Sequence, residues 1–156
     1  MSNKKKRNIS GTEVKIRKAG MSDMADLYKW RNHPEIRKNF FNTCIVSLEE
    51  HEKWFNAKIK AADTTIYMAF CKNNKIGSIR FEDRGEVIKA SVMLNPDFLG
   101  KGFGSELIRT GIKQFLTENK SDKPVVAEIK TENIASLKAF KRAGFIESYI
   151  TCILVK

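Results

Sequence analysis

The sequence predicts an α+β domain in which a mixed, mostly antiparallel sheet is flanked by helices. Three neighbouring segments in the middle of the chain alternate apolar and polar residues, and two turn clusters separate them, as in an antiparallel meander. Helix start signals precede these segments and follow them. The predicted order of elements, β-αα-βββ-α-β-α-β, therefore describes one sheet with helices packed on it.

The first third of the chain predicts a strand followed by helices. Residues 13–19 alternate apolar and charged side chains, as a half-buried strand does. Ser22 is in position to cap a helix that runs to about Trp30. Pro34 fits the first turn of a second short helix. Residues 47–50, SLEE, form a capping box at the start of a longer helix.

The rest of the chain predicts a sheet and two further helices. The three meander strands are residues 65–71, 76–82 and 87–94. A helix with apolar residues at helical spacing follows and ends near Asn119, and residues 125–129 form a short strand of the buried type. Asn133 is in position to cap a helix that runs through Arg142. Residues 145–155 are predicted to close the fold as one or two strands.

The length of 156 residues is enough for one domain with a real core. We assign residues 13–156 to that domain and predict that residues 1–12, which contain the run KKKR, are a disordered basic tail. No apolar run approaches the ~20 residues of a membrane helix, and the start of the chain lacks the apolar stretch of a secretory signal. The three widely spaced cysteines favour reduced thiols in a cytoplasmic protein over a disulfide framework or a zinc site. They are Cys44, Cys71 and Cys152.

The charge of the chain points to anionic partners. Its 29 Lys and Arg residues against 18 Asp and Glu residues give a formal net charge of +11. Such a basic protein suits nucleic acid or small molecules that carry phosphates. A nucleic-acid interface would concentrate basic residues on one face with aromatic residues between them. Here the basic residues are scattered along the chain, so nucleic acid is not the expected partner, and neither is a membrane.

A glycine-rich loop, NPDFLGKGFGSELI at residues 95–108, is the strongest local signal. Gly100, Gly102 and Gly104 lie between a predicted strand and a predicted helix, a layout that suits an anion because free backbone amides at the helix start point at it. A nucleoside-triphosphate loop would need Lys-Ser or Lys-Thr after the last glycine. A dinucleotide loop would need G-x-G-x-x-G in a βαβ unit. Neither requirement is met, and a plain flexible connector remains the alternative.

The same residues resemble the acetyl-coenzyme A loop of the GNAT acetyltransferase superfamily. Gly102 and Gly104 match the last two fixed positions of the family pattern [RQ]-x-x-G-x-[GA]. A second family signature, N-x-x-[SA]-x-x-x-[YF]-x-x-x-G-F, is similar to NIASLKAFKRAGF at residues 133–145. The element order agrees from about residue 14 onward, so the resemblance covers nearly the whole chain.

The resemblance implies the GNAT fold, acetyl-CoA as the acetyl donor and no metal. In that family the last meander strand and the following parallel strand part in a V that takes the pantetheine and the acyl chain. Main-chain amides of the glycine loop would hold the pyrophosphate, and an amide near Met93 or Leu94 would polarise the thioester carbonyl. Asn133 would bind the cofactor, although its residue type suits a helix cap equally well. The predicted cofactor residues are Val92, Met93, Leu94, Leu99, Gly100, Lys101, Gly102, Phe103, Gly104, Ser105, Asn133 and Phe140.

The resemblance also implies catalytic residues, but this sequence departs from the family pattern at two positions. Leu99 stands where the family pattern has Arg or Gln, and Phe140 stands where many members have a tyrosine that protonates the leaving thiolate. Tyr149 or water is left as the candidate acid. Glu128 is the candidate general base, since a carboxylate can take the proton of the attacking amine and burial at the floor of the V would make it more basic. An outward-facing Glu128 is the alternative.

The acceptor side is predicted from the segment at residues 29–55. Its W-R-N-H-P run and later E-E-H resemble amino-sugar-nucleotide N-acetyltransferases of the pseudaminic acid pathway and, less closely, ribosomal-protein N-terminal acetyltransferases. The predicted substrate residues are Trp30, Arg31, Asn32 and His51, with Arg37 and Lys38 as further contacts for a diphosphate. Core packing is the alternative for Trp30, Trp54 and His51. We therefore expect a nucleotide-linked amino sugar as acceptor. A protein N-terminal amine is the alternative acceptor. A non-catalytic acyl-CoA-binding module is the alternative to an enzyme. A homodimer is compatible with the sequence.

Overall fold

The computed structural model describes residues 13–148 and residue 152. The strands are β1 (Val14–Lys18), β2 (Thr64–Cys71), β3 (Asn74–Asp83), β4 (Ile88–Leu94) and β5 (Val125–Val126). The helices are α1 (Met24–Asn32), α2 (Pro34–Arg37), α3 (Leu48–Lys60), α4 (Phe103–Asn119) and α5 (Ile134–Arg142). This order confirms the predicted α+β class and the antiparallel meander of β2, β3 and β4.

The five strands form one sheet in the order β1-β2-β3-β4-β5, and all neighbours are antiparallel except β4 and β5. The parallel pairing is short. It joins Ile88 to Val125 and Lys89 to Val126, after which β4 continues to Leu94 without pairing to the described residues that follow β5. The predicted strand at residues 125–129 is thus shorter than expected, and the two chains part beyond Val126.

Each face of the sheet packs against helices. On one face, β3 and β4 pack against α4, and the rings of Phe81 and Phe115 stack with centroids 4.4 Å apart. On the other face, β2 packs against α1 and α3 through a cluster that contains Trp30, Phe55 and Met68. Burying one large apolar side chain of this kind contributes about 1.5–3 kcal/mol, so both helical layers are held to the sheet mainly by apolar burial.

In the first third of the chain, the helix starts agree with the predicted signals at two of three places. The Ser47 hydroxyl accepts the Glu50 N–H at 3.2 Å and the Glu50 carboxylate accepts the Ser47 N–H at 2.9 Å, which confirms the capping box. Pro34 occupies the first turn of α2 as predicted. The cap predicted at Ser22 is wrong. A 3-10 turn at Met21–Asp23 precedes α1, and the buried Asp23 carboxylate accepts the Gly20 N–H at 2.9 Å.

The end of the chain is only partly described. Asn133 caps α5 and Gly144, with φ of 103°, follows its end, as predicted. Residues 145–148 have no regular secondary structure, and most of the closing segment predicted at 145–155 lies outside the described residues, as does the predicted tail at 1–12. Among the described residues, no helix is both long enough and apolar enough to span a bilayer.

Candidate active site

A cavity of about 540 Å³ opens where β4 and the chain after β5 separate. The side chains of β4 alternate across the sheet. Val92 and Leu94 pack toward α4, whereas Met93 packs toward the α1 and α3 layer. The cavity reaches both layers, since residues of α2, α4 and α5 all line it. It therefore has a loop half, beside the glycine loop, and an acceptor half, beside α1 and α2.

The glycine loop forms one wall of the loop half. Gly100 and Gly102 have φ of 70° and 84°, in the left-handed region that favours glycine. Gly102 is the N-cap of α4, and no side chain caps this helix start. The first backbone N–H groups of a helix have no intrahelical partners, so the first turn of α4 offers free donors and the positive end of a 17-residue helix dipole. The arrangement fits the diphosphate of CoA.

Most of the loop residues predicted to bind the cofactor line this cavity. Leu99, Gly100, Gly102, Gly104 and Ser105 are in its wall. Lys101 and Phe103 are not. The Lys101 ammonium lies 5.0 Å from the centroid of the Phe98 ring, and the Phe103 ring meets the same ring edge to face at 5.8 Å. These two side chains therefore pack against Phe98 outside the cavity wall.

The backbone of β4 offers amides to the open side of the V. The N–H groups of alternate residues in a strand point to the same neighbour. The Ile88 N–H donates to the Pro124 carbonyl on the β5 side at 2.9 Å, and the Asn95 N–H donates to the Ile76 carbonyl of β3 at 2.9 Å. The amides of Val92 and Leu94 therefore face the V, while the Met93 amide faces β3. Of the two amides predicted near the thioester, only that of Leu94 has the required direction.

The second signature motif closes the loop half. Asn133 lines the cavity and also caps α5, since its side-chain oxygen accepts the Ser136 N–H at 3.1 Å. Phe140 lines the cavity too, is 5% exposed, and meets Phe145 edge to face at 5.0 Å. A Cβ added at Gly104 would lie 3.2 Å from the Ala139 Cβ, so α5 packs closely against the start of α4.

Two arginines in the acceptor half have buried nitrogens without a hydrogen-bond partner among the described residues. Arg31 donates to the Asn42 carbonyl at 2.7 Å and lies 4.3 Å from the Phe40 ring centroid, but its Nη1 is unpartnered. Arg80 lies over the Trp54 ring at 5.2 Å and pairs with Glu82 at 3.4 Å through its Nη2, but its Nε is unpartnered. Burial lowers the pKa of both guanidinium groups, and for Arg31 repulsion by Arg37 adds to the effect.

Glu128 lines the cavity beside the point where the strands part, but it is not buried. Its side chain is 47% exposed and forms an ion pair with Lys89, which also lines the cavity. The prediction of a buried carboxylate is therefore wrong, because β5 ends at Val126 and leaves the following residues without strand neighbours. Glu128 is nonetheless the only carboxylate that lines the cavity in the described part of the chain.

Three predicted substrate residues lie outside the cavity. Trp30 is 5% exposed and belongs to the core of the α1 and α3 layer. The Asn32 side chain donates to the Val46 carbonyl at 2.8 Å and accepts the Val46 N–H at 2.9 Å, so it holds the α2–α3 connection in place. His51 is 4% exposed among the rings of Tyr28, Trp54 and Phe55. Burial lowers its pKa.

Of the remaining predicted residues, some line the cavity and others do not. Arg31 does line the cavity, whereas Arg37 and Lys38 do not, and Lys38 pairs with Glu35. Tyr149, the candidate acid, lies outside the described residues. Within the described residues no cluster of three or more His, Cys, Asp or Glu side chains is arranged to hold a metal ion.

Sequence reasoning missed several residues that line the cavity. They are Phe40, Phe41, Arg80, Lys89, Lys138 and Arg142. A signal existed for two of them. Arg80 and Lys89 are charged residues with apolar neighbours on both sides along their strands, and they point to the side opposite Ile79 and Ile88. Such residues are seldom buried without a partner or a function.

A parted pair of parallel strands beside an uncapped glycine loop at a helix start defines an acyl-CoA-dependent acyltransferase. Residues 13–146 match the family described as Acetyltransferase (GNAT) domain. The chain belongs to this family. It is accordingly an N-acetyltransferase that uses acetyl-CoA as its donor.

Known proteins agree with this assignment. The chain is 23% identical to Acetyltransferase PseH of Campylobacter jejuni over 120 aligned residues. The alignment covers 76% of this chain and 74% of that protein. This similarity fits the resemblance to pseudaminic acid pathway enzymes. Among solved structures, spermidine N-acetyltransferase from Vibrio cholerae with CoA and spermine superposes with a TM-score of 0.79 at 19% identity over 88% of this chain and 83% of that one.

A second solved structure has the same fold. Aminoglycoside acetyltransferase AAC(6')-Ib in complex with coenzyme A superposes with a TM-score of 0.75 at 21% identity, over 86% of this chain and 85% of that one. Both structures contain CoA, in agreement with the donor predicted from the glycine loop.

Proposed function

We propose that the chain transfers the acetyl group of acetyl-CoA to the amine of a nucleotide-linked amino sugar. The observation that carries this proposal is the charge of the acceptor half of the cavity. Arg31, Arg80 and Lys89 line it, and Glu128 is the one carboxylate that lines it in the described part of the chain. Arg80 pairs with Glu82 and Lys89 with Glu128, whereas Arg31 forms no ion pair with the described residues. Such a surface attracts an acceptor that brings its own negative charge, as the diphosphate of a nucleotide-sugar does.

The unpartnered arginine nitrogens support an anionic acceptor. A buried donor without an acceptor costs about 1–3 kcal/mol. Arg31 Nη1 and Arg80 Nε are both in this condition. Phosphate oxygens would satisfy them, because a guanidinium presents several donors in a fixed plane that suits phosphate.

The same charges argue against the acceptors of the structural neighbours. Spermine and kanamycin, present in solved complexes of those proteins, are polyamines. A polycation would meet the like charge of Arg31 and the unpartnered donor of Arg80, and the carboxylate of Glu128 is already paired with Lys89. Fold similarity at this level of identity carries no acceptor preference, so the proposal rests on the local charge, which favours an anionic acceptor.

Phe41, and not the buried Trp30, would stack on the base of a nucleotide-sugar. It lines the cavity and is 65% exposed, and Asn39 and Asn42 beside it also line the cavity. An exposed ring at a cavity mouth suits a nucleobase, since stacking on an aromatic side chain contributes about 1–3 kcal/mol per base.

The proposed chemistry is direct attack of the amine on the donor. Acetyl-CoA supplies the activated acetyl group. Glu128 would take the proton from the amine, directly or through water, once the acceptor loosens the ion pair with Lys89. The amides of Val92 and Leu94 would donate to the oxygen on which negative charge develops. Phe140 has no proton to give, so water or Tyr149 is proposed as the acid.

A thiol-release assay tests the acceptor class. With acetyl-CoA as donor, we expect UDP-linked amino sugars to react with a kcat/KM at least tenfold above those of short peptides and of spermine. Arg80→Gln should raise the acceptor KM about tenfold or more, because a charge-assisted hydrogen bond is lost. Arg109→Gln, on the outer surface of α4, is the matched control and should leave KM unchanged.

Other results would redirect the proposal. Preferred turnover of peptide amines would favour the protein N-terminal alternative, and preferred turnover of spermine would remove the charge argument. The family assignment already favours an enzyme over the non-catalytic acyl-CoA-binding module. The cytoplasmic location and the homodimer stay predictions.

A further inference from the structure

We propose that Lys138 and Arg142 bind the 3′-phosphate of CoA and thereby select CoA over its 3′-dephospho form. This inference concerns the donor and is independent of the acceptor class. Both residues lie on α5, four positions apart, so their side chains share one face of the helix. Both line the loop half of the cavity.

The position of α5 brings this face beside the glycine loop. Ala139, next to Lys138, lies so close to Gly104 that an added Cβ there would be 3.2 Å from the Ala139 Cβ. The start of α4 and the middle of α5 are therefore in van der Waals contact. Lys138 and Arg142 line the same cavity as the first turn of α4, so both are placed to reach a ligand whose diphosphate is held there.

The charges of this pair are not neutralised within the protein. Neither Lys138 nor Arg142 forms an ion pair in the described part of the chain, whereas Lys141 on the same helix pairs with Glu147 at 2.7 Å. Both unpaired side chains are exposed. Glu128, the one carboxylate among the described residues that line the cavity, is instead paired with Lys89. The loop half therefore keeps two free cations beside backbone donors.

The two kinds of donor fit two different phosphates. The diphosphate of CoA suits the backbone amides at residues 99–105, because glycines let the main chain approach closely. The 3′-phosphate is a monoester with up to two negative charges and is separated from the diphosphate by the ribose. Flexible side-chain cations at the rim of the cavity suit such a group better than fixed amides.

Binding isotherms of CoA and of 3′-dephospho-CoA test the inference. We expect the double variant Lys138→Gln/Arg142→Gln to bind CoA about tenfold to a hundredfold more weakly, as expected for lost charge-assisted hydrogen bonds. Its affinity for 3′-dephospho-CoA should change less than about twofold, so that the preference for CoA disappears. Lys113→Gln/Lys141→Gln removes the same net charge from exposed positions outside the cavity wall and should keep the preference.

Two results would overturn the inference. Equal weakening of both ligands would show that the cations meet the diphosphate. Unchanged binding of both ligands, or an equal loss in the control double variant, would show no local contact at all. Circular dichroism and thermal unfolding establish that the variants are folded. Because the isotherms need no acceptor, they give the same answer whichever amine the enzyme acetylates.

Discussion

Lys89 and Glu128 form an ion pair across the point at which β4 and the chain after β5 separate. Lys89 is the last residue of β4 that pairs with β5, and Glu128 follows Val126 by two residues. The pair therefore lies where the sheet stops being continuous and the cavity begins. The carboxylate at this place lines the cavity where the two strands part.

Glu128→Gln should separate catalysis from binding. If Glu128 is the base, the variant should lower kcat by about 10²–10⁴-fold, the usual contribution of general base catalysis. Its affinity for CoA, measured by calorimetry, should stay within about twofold because the glycine loop is untouched. Glu132→Gln, four residues further on and exposed, is the control and should keep full activity. An unchanged kcat in Glu128→Gln would transfer the role of base to water or to a residue outside the described chain.

Gly77→Ala should destabilise the sheet beside the V. A Cβ at Gly77 would lie 2.6 Å from the Met93 carbonyl oxygen and 3.0 Å from the Leu94 Cα, both backbone atoms of the paired strand. Overpacking of this kind costs about 1–3 kcal/mol, which chemical denaturation measures as a lower free energy of unfolding. We also expect weaker CoA binding, because the shifted strand carries the Leu94 amide.

The control for that change is Gly20→Ala. Gly20 has an extended backbone with φ of −126°, and no atom lies within 4 Å of an added Cβ. Its N–H, which donates to Asp23, is kept by alanine. Because replacing Gly with Ala lowers the entropy of the unfolded chain, Gly20→Ala should leave stability unchanged or raise it slightly. An equal loss of stability in the two variants would mean that the loss in Gly77→Ala does not come from the contact with Met93.

Asp23→Asn should lower stability at neutral pH. Burial alone would raise the pKa of the Asp23 carboxyl, but hydrogen bonds from Arg17, the Gly20 amide and Lys75 outweigh it and hold the pKa below its usual range. A carboxyl with a depressed folded-state pKa stabilises the fold above its unfolded pKa of about 3.9 and loses that contribution as the pH falls further. Breaking a buried ion pair costs about 3 kcal/mol.

Urea unfolding at pH 7 and at pH 3 measures this contribution. The difference between wild type and Asp23→Asn should be largest at pH 7 and should shrink toward pH 3. Asp26→Asn is the control, since Asp26 also pairs with Lys75 but is 43% exposed and should contribute about 1 kcal/mol or less. A difference that is the same at both pH values would assign the effect of Asp23→Asn to packing.

The sequence predicted the frame of the site better than its side-chain orientations. The capping box, the meander and the Asn133 cap depend on local signals, and all are present. The V between the strands came from the family resemblance and not from periodicity. The environment of Glu128 was misjudged because it depends on where β5 stops pairing, which is a tertiary property.

Side-chain positions in the acceptor half also depend on tertiary structure that local sequence signals do not specify. Trp30 is a core residue because α1 presents it to β2 and α3, an orientation that its sequence motif does not specify. Arg80 lines the cavity because the register of β3 and β4 sets it opposite Ser91. Register across strands follows from the whole sheet, so the cationic acceptor half became evident only in three dimensions.

His51→Phe should remove a loss of stability that begins below neutral pH. Burial lowers the pKa of His51, and its Nε2 is buried with no partner among the described residues. The folded state therefore takes up the proton less readily than the unfolded chain, whose histidine has a pKa of about 6.5, so stability falls as the pH drops through that value. A phenylalanine ring suits the surrounding Tyr28, Trp54 and Phe55 rings.

Free energies of unfolding at pH 8, 7, 6 and 5 distinguish this effect from that of Asp23, which operates below about pH 4. Wild type should become less stable from pH 7 to pH 5, while His51→Phe should be nearly constant over that range. The loss of the hydrogen bond with the Met24 backbone should cost His51→Phe about 1 kcal/mol at pH 8. A parallel decline of both proteins between pH 7 and pH 5 would exclude His51 as its source, because the variant has no imidazole at that position to titrate.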